Sequence, residues 1–337
     1  MLSPKIIAWI ENAMNGTYSI HKIAGRANSQ IFKIINGSKV YALKIYPSHN
    51  LDKRDRLSVE FDSLDFLNRN GVTNTPKTFK KSKELNIALY EWIDGSISPK
   101  VLENEVIDAL GFIKTLKHLS KSKANSPKQL ASESCLSITE LSQQIDRRLA
   151  KLNDIKGELD LQNFLNSEFK PLFDELNLRI KSDWNYDWHY SENLQKEFQL
   201  LSPSDFGFHN AIHTKNKGII YIDFEYFGWD DPVKLTSDFI WHAGMDISNQ
   251  AKIVWLKGMQ DLFSDDPNYN FRLKLCHPLY GLRWCMILLN EFLPNVWEVR
   301  KHANSEKNNY HSEIKKMQLN KAMEYFIKVK KIVYEVT

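Results

Sequence analysis

The chain has 337 residues, of which 42% are hydrophobic and 26% charged, and it carries a net charge of +4. That balance is ordinary for a folded globular protein and excludes wholesale disorder, while so small a positive charge leaves no nucleic-acid footprint. Three cysteines, Cys135, Cys276 and Cys285, lack C-x-x-C spacing, which excludes a disulfide framework or a zinc ribbon and fits free thiols in a reducing compartment.

Residues 1–15 scatter Lys5, Glu11 and Asn12 among apolar side chains, so no signal-peptide core is expected. Residues 17–23, 30–35 and 40–46 read as strands, and Asn36-Gly37 is a hairpin signal between the last two. The third of these carries Lys44. Ile23-Ala24-Gly25-Arg26-Ala27-Asn28-Ser29-Gln30 is a polar turn between the first two. Residues 56–70 read as a helix with Val59, Leu64 and Leu67 on one stripe and Glu60 near its start. Ile87-Ala88-Leu89-Tyr90-Glu91-Trp92-Ile93-Asp94-Gly95 is an apolar strand ending in a turn.

Beyond Gly95 the pattern turns helical. Residues 98–119 form one amphipathic helix, 120–132 a polar loop, and 138–180 two helices broken around Gly157. Two short strands follow, joined by Asn216-Lys217-Gly218. Helices over 236–245, 249–263, 271–292 and 306–336 complete the chain. No apolar run reaches the ~18 residues of a membrane span; residues 279–297 come nearest and are broken by Arg283, Asn290, Glu291 and Pro294. A cytoplasmic protein with no membrane partner is expected, and the sequence favours no particular oligomeric state.

The chemistry concentrates in Ser204-Asp205-Phe206-Gly207-Phe208-His209-Asn210 and Ile220-Tyr221-Ile222-Asp223-Phe224-Glu225. Phosphoryl transfer from ATP needs one carboxylate to orient and receive the acceptor's proton, and an amide and a carboxylate to hold magnesium against the phosphates. The order Asp-x4-Asn, strand, Asp is that of protein-kinase-like enzymes. It makes Asp205 the candidate catalytic residue and Asn210 and Asp223 the candidate Mg2+ ligands. Such an enzyme also needs a phosphate loop, a strand lysine, a helix glutamate and an adenine hinge. Asn28 with Ser29, Lys44, Glu60, and the main chain of Glu91, Trp92 and Ile93 stand in that order.

At these residues the chain resembles the aminoglycoside phosphotransferase and choline kinase group, the small-molecule branch of the protein-kinase-like fold. The resemblance runs from about residue 20 to about residue 245. It is strongest over 205–241, where Ile222-Asp223-Phe224-Glu225, Gly228-Trp229 and Asp231-Pro232 follow the family's wording. Gly25-Arg26-Ala27-Asn28-Ser29 resembles the family's polar Gly-x-x-Asn-x loop.

The resemblance implies an α+β, two-lobed fold. Residues 1–95 would be the N-lobe, an antiparallel sheet plus one helix. Residues 96–337 would be a helical C-lobe with the catalytic loop, metal site and acceptor site. It implies an ATP- and Mg2+-dependent phosphotransferase acting on a hydroxyl of a small molecule, with a sugar or amino sugar favoured over an amino alcohol or an aminoglycoside. Glu225 and Asp230 are candidate acceptor contacts, and the aromatic run over 184–190 could stack on an acceptor.

One departure stands out: Pro203 occupies the place of the histidine in the family's His-Gly-Asp or His-x-Asp. With the glycine-poor loop, it motivates the alternative of a nucleotide-binding pseudokinase. A zinc site at His209, His213 and His242 lacks a ligand motif.

Overall fold

The computed structural model describes residues 2–14, 16–23, 29–48, 53–98, 100–122, 126–184, 189–297 and 311–335. Ser3 caps helix α1 (Pro4–Glu11) by accepting the Ile6 N–H, with Pro4 at the first helical position, where no N–H is needed. Strands β1 (Ser19–Ile23), β2 (Gln30–Asn36) and β3 (Lys39–Ile45) form an antiparallel meander. The β2–β3 turn residues are Gly37 and Ser38, with Asn36 paired to Lys39; Gly37 supplies the left-handed φ of +59°. Helix α2 (Arg56–Arg69) is capped by Asp55, and β4 (Thr78–Ser82) and β5 (Ile87–Glu91) complete a five-stranded sheet in the order β1-β2-β3-β5-β4.

Strand alternation decides what Lys44 faces. Phe32, Ile34, Leu43, Ile87 and Leu89 lie on one sheet face, which Ile10 and Met14 cover. Lys44, Tyr46, Ala88 and Tyr90 have the opposite parity and look toward α2 and the rest of the molecule. There Tyr46, Ala88 and Tyr90 join Leu57, Leu64 and Leu67 in the large core.

The predicted helix over 98–119 starts as strand β6 (Lys100–Val101), followed by α3 (Glu103–Lys121). Helix α4 (Ile138–Asn153) stops before Gly157, whose φ of +80° breaks the run as expected. Helix α5 (Leu159–Asn163) continues through a π-turn (Phe164–Phe169) into α6 (Lys170–Asp183). Then come β7 (Leu200–Ser202), the β8 (Ala211–Thr214) and β9 (Gly218–Tyr221) hairpin, and β10 (Gly228–Asp230), which pairs with β7. Helix α7 (Pro232–Trp241) begins four residues earlier than its apolar pattern suggests, because Asp231 caps it and Pro232 opens it. Strand β11 (Asp246–Ile247), parallel to β6, leads to α8 (Asn249–Leu262), α9 (Tyr269–Leu288) and α10 (His311–Glu335). No helix among the described residues is long and apolar enough to cross a membrane.

The chain leaves the five-stranded sheet after Glu91. A Cβ on Gly95 would lie 2.2 Å from the His213 carbonyl oxygen, a contact only glycine permits. Ser96 and His213 exchange main-chain hydrogen bonds of 3.2 and 2.8 Å there.

Candidate active site

Asp205 follows directly on a turn that closes β7. Its N–H donates to Pro203 O at 2.9 Å. Phe206 beside it is buried on Phe112, Tyr221 and Phe239 at ring-centroid distances of 5.7, 4.9 and 6.1 Å. The carboxylate is thus the half-exposed end of an anchored loop.

Its neighbours all donate. His209 Nε2 and His242 Nε2 approach Oδ1 at 3.1 and 3.3 Å, and Asn210 Nδ2 reaches the main-chain O at 3.1 Å and Oδ2 at 3.3 Å. The two imidazoles stack with centroids 3.6 Å apart and planes 10° from parallel. Gly244 N–H donates to His242 Nδ1 at 3.0 Å, which leaves Nε2 as the protonated nitrogen of the neutral ring.

Burial alone would raise the Asp205 carboxyl, and hydrogen bonds from His209 and His242 outweigh it and hold it well below the usual carboxylate range. Burial lowers His242, with the nearby His209 ring adding to it against the pull of Asp205. Asp205 is therefore ionised and aimed, a weak base suited to orienting a hydroxyl in a transfer dominated by positioning.

Asn210 and Asp223 come to the same open end of the hairpin because they flank the β8–β9 ladder. Ala211 pairs with Tyr221, and one step outward Ile222 N–H donates to Asn210 O at 2.9 Å. Asp223 has φ +67°, a left-handed conformation of the kind that concentrates at functional sites. Its side chain is 36% exposed, whereas Lys44 Nζ, 2.7 Å from Asp223 Oδ1, is buried. Lys44 also donates to Glu60 Oε2 at 2.6 Å and lies 3.4 Å from Glu225 Oε2. Burial alone would lower Lys44; Asp223, Glu60 and Glu225 together outweigh it and keep the ammonium charged. Tyr46 OH donates to the same Glu60 oxygen at 2.7 Å and touches Tyr90 OH at 2.7 Å.

The donor types fit a hard divalent cation: Asp223 offers a carboxylate open to solvent, and Asn210, at the open end of the same hairpin, an amide oxygen. Ser29 Oγ is buried without a partner among the described residues, as a phosphate-facing hydroxyl would be. Because Lys44 and Glu60 hold one another, we expect a double-mutant cycle on Mg-ATP affinity to be non-additive. Lys44→Ala and Glu60→Ala should each lose most of the effect, and the pair little more. Calorimetric titration checks this, and simple additivity would mean that they act separately.

Not every predicted site residue keeps its role. Glu225 does not offer an acceptor contact: it is buried, ion-paired to Arg56 and near Lys44. Asp230 is 1% exposed, accepts from Cys135 N–H at 2.9 Å and lies 3.0 Å from Lys234, so no face remains for an acceptor. In the expected hinge, Glu91 N–H is taken by Lys77 O and Trp92 N–H by Val40 O. The Glu91 side chain turns to Lys217 at 2.5 Å. Asn28 and residues 185–188 lie outside the described residues. His213 pairs with Glu105 at 3.1 Å and stands apart from His209 and His242.

Sequence reasoning missed three participants. His242 lies 37 positions past Asp205 and reaches it only because α7 ends there. Arg56 is visible afterwards as the i−4 neighbour of Glu60 on one helix face. Tyr46 shares the strand parity of Lys44.

Residues 19–270 match the model of the phosphotransferase enzyme family. No curated protein sequence matches the chain. Among solved structures, spectinomycin phosphotransferase in complex with ADP and spectinomycin aligns over 98% of this chain and 99% of its own, at 12% identity and TM-score 0.61. Choline kinase LicA from Streptococcus pneumoniae aligns over 96% and 98%, at 14% identity and TM-score 0.60. Choline kinase from Cryptosporidium parvum aligns over 92% and 96%, at 13% identity and TM-score 0.57. At these identities the likeness speaks to the fold, which is the two-lobed kinase-like α+β fold anticipated from the sequence. With the family model spanning the sheet, the Lys44 cluster and the Asp205 loop together, the chain belongs to the phosphotransferase enzyme family.

Proposed function

We propose that the protein transfers the γ-phosphoryl group of Mg-ATP to a hydroxyl of a neutral polyol, a sugar before an amino alcohol or an aminoglycoside, in a cytoplasmic setting. The observation that carries this is the pairing pattern of the carboxylates. Glu225 is matched by Arg56 and Lys44, Asp230 by Lys234, and Asp231 by the Arg272 guanidinium at 3.0 Å. The acidic residues that the sequence offers to a cationic acceptor are therefore spent internally, and Asp205 is itself surrounded by hydrogen-bond donors.

In this reading Asp205 orients the acceptor hydroxyl and takes its proton as the oxygen–phosphorus bond forms and the γ-phosphorus bond to the β–γ bridging oxygen breaks, releasing ADP. Lys44, held by Glu60, aims its ammonium at the phosphates, Ser29 contributes a hydroxyl to them, and the Ile93 main chain meets the adenine. Asn210 and Asp223 would hold Mg2+, which when bound neutralises phosphate charge.

The test is mass spectrometry of sugars, polyols, amino sugars, choline, ethanolamine and aminoglycosides incubated with Mg-ATP. A product heavier by one phosphoryl group among the neutral compounds, absent with Asp205→Asn, is the expected result. Modification confined to cationic compounds overturns the acceptor class. Tight Mg-ATP binding with nothing modified turns the reading to a nucleotide-binding protein without transfer. Asp223→Ala is expected to abolish the magnesium-dependent part of ATP binding and Asn210→Ala to weaken it, because a carboxylate contributes charge where an amide contributes only a dipole. Calorimetry with and without Mg2+ decides, and unchanged affinity in both would remove the metal from this segment.

A further inference from the structure

We propose that Lys234 is a positioning residue for Asp205, acting through the hydroxyl of Ser204. The inference rests on the reading of Asp205 as the acceptor-orienting carboxylate.

Ser204 sits at the centre of the turn that precedes Asp205. Its φ is +65°, and the hydrogen bond across it joins Asp205 N–H to Pro203 O, a three-residue turn. Three-residue turns with positive φ at the centre are rare and strained, and a side chain raises the cost above that for glycine. Such a conformation persists only where its surroundings over-determine it.

The surroundings here are specific. Ser202 Oγ accepts the Ser204 N–H at 3.0 Å. Ser204 Oγ spends its one proton on Ser132 O at 3.1 Å and accepts from Lys234 Nζ at 2.9 Å. Donation and acceptance together fix the hydroxyl from both sides and with it the backbone that aims Asp205.

Lys234 is suited to hold this point. It is 1% exposed on α7, a helix fixed at its start by Asp231 and Pro232. Three oxygens surround the ammonium: Ser204 Oγ accepts its hydrogen bond at 2.9 Å, and Asp230 Oδ2 and Asp238 Oδ2 are ion-pair neighbours at 3.0 and 3.5 Å. Two of the three neighbours are carboxylates that need a cation. The third is a neutral hydroxyl one residue from Asp205, and charge balance alone gives no reason for it.

The test compares wild type with Ser204→Ala, Ser204→Gly and the charge-neutral pair Asp230→Asn/Lys234→Met, which leaves no buried ion unmatched, whereas Lys234→Met alone strips Asp230 of its cation. Three readouts are taken: amide hydrogen exchange over residues 203–210, Mg-ADP affinity by calorimetry, and phosphoryl transfer from Mg-ATP to glucose, glycerol and water. Faster exchange across the loop is expected in all three variants, with Mg-ADP affinity unchanged. Transfer should fall by roughly tenfold to 100-fold in kcat with the KM for ATP unchanged, the size of a small misplacement of a reacting group. Adding Ser204→Ala to the charge-neutral pair should cost less than Ser204→Ala costs the wild type, because the lysine acts through that hydroxyl. Loop exchange at the wild-type level in Ser204→Ala and in the pair overturns the proposal. If Asp205→Asn itself retains transfer, the reading of Asp205 has failed instead, and loop exchange alone decides whether Lys234 holds the turn.

Discussion

Asp205→Asn should lower phosphoryl transfer by about 10²–10⁴-fold, the usual worth of a positioned general base, while Mg-nucleotide affinity stays near that of the wild type. The substitution keeps size and shape but changes two things at once. It removes the oxygen charge that receives the acceptor's proton. It also puts an NH2 group among donors, because His209 and His242 face one carboxylate oxygen and Asn210 Nδ2 the other. An amide accepts through only one oxygen, so one of those contacts must be lost. The nucleotide contacts lie elsewhere: Lys44 binds Glu60 and Asp223 and has no bond to Asp205 among the described hydrogen bonds. Turnover and calorimetric affinity measured on one preparation separate the two effects. Near-native turnover in the variant would remove Asp205 from the chemistry, and a parallel loss of nucleotide affinity would mean that the loop had collapsed.

The parts of this site that follow from local rules were legible in the sequence. Lys44 lies on an alternating strand, Glu60 on a helical face, and Asn210 and Asp223 at either end of a hairpin whose turn is marked by Gly218 at φ +66°. Each of those inferences needs only a period of 2 or 3.6 and a turn residue. What the sequence hid depends on contacts between distant segments. Helix α1 escaped notice because it has only eight residues, and its cap, Ser3, stands at the very start of the chain. Strand β4 is exposed and carries Lys80 and Lys81, so it lacks the apolar alternation of a half-buried strand. Nothing near Glu225 reveals that Arg56 lies against it, and Lys234, though only four positions past Asp230, carries no sign in the sequence of being buried. Arg56 is 169 positions from its partner, and Lys234 on α7 reads as an ordinary surface residue until the helix is seen to be buried along its length. Pro203 reads as a defect if the family histidine is the only means of supporting the loop. In the fold, the support comes from His209, His242 and the Ser204 hydroxyl.

Asp238→Ala should cost about 3–5 kcal/mol of stability, the penalty for breaking a buried ion pair from one side. Asp238 is 6% exposed and receives Arg283 NH2 on both oxygens at 2.6 and 2.8 Å, Trp284 Nε1 at 2.9 Å and Lys234 Nζ at 3.5 Å. Removing the carboxylate leaves Arg283 with Gln144 Oε1 at 3.0 Å as its remaining hydrogen-bond partner, and Lys234 with Asp230 as its remaining ion pair. Lys170→Ala is the contrasting case. Its pair with Asp174 is as short, 2.7 Å, but both side chains are about half exposed, so the loss should stay within roughly 0.5 kcal/mol. The distances differ by only 0.1 Å while burial and the number of bonds to the carboxylate differ widely, so denaturant unfolding of the two variants side by side shows that distance does not set the loss. Equal losses in the two would mean that the Arg283–Asp238 pair only offsets its own desolvation. Asp238→Ala should also lower turnover in molecules that remain folded, because Asp238 helps to hold the lysine that braces Ser204.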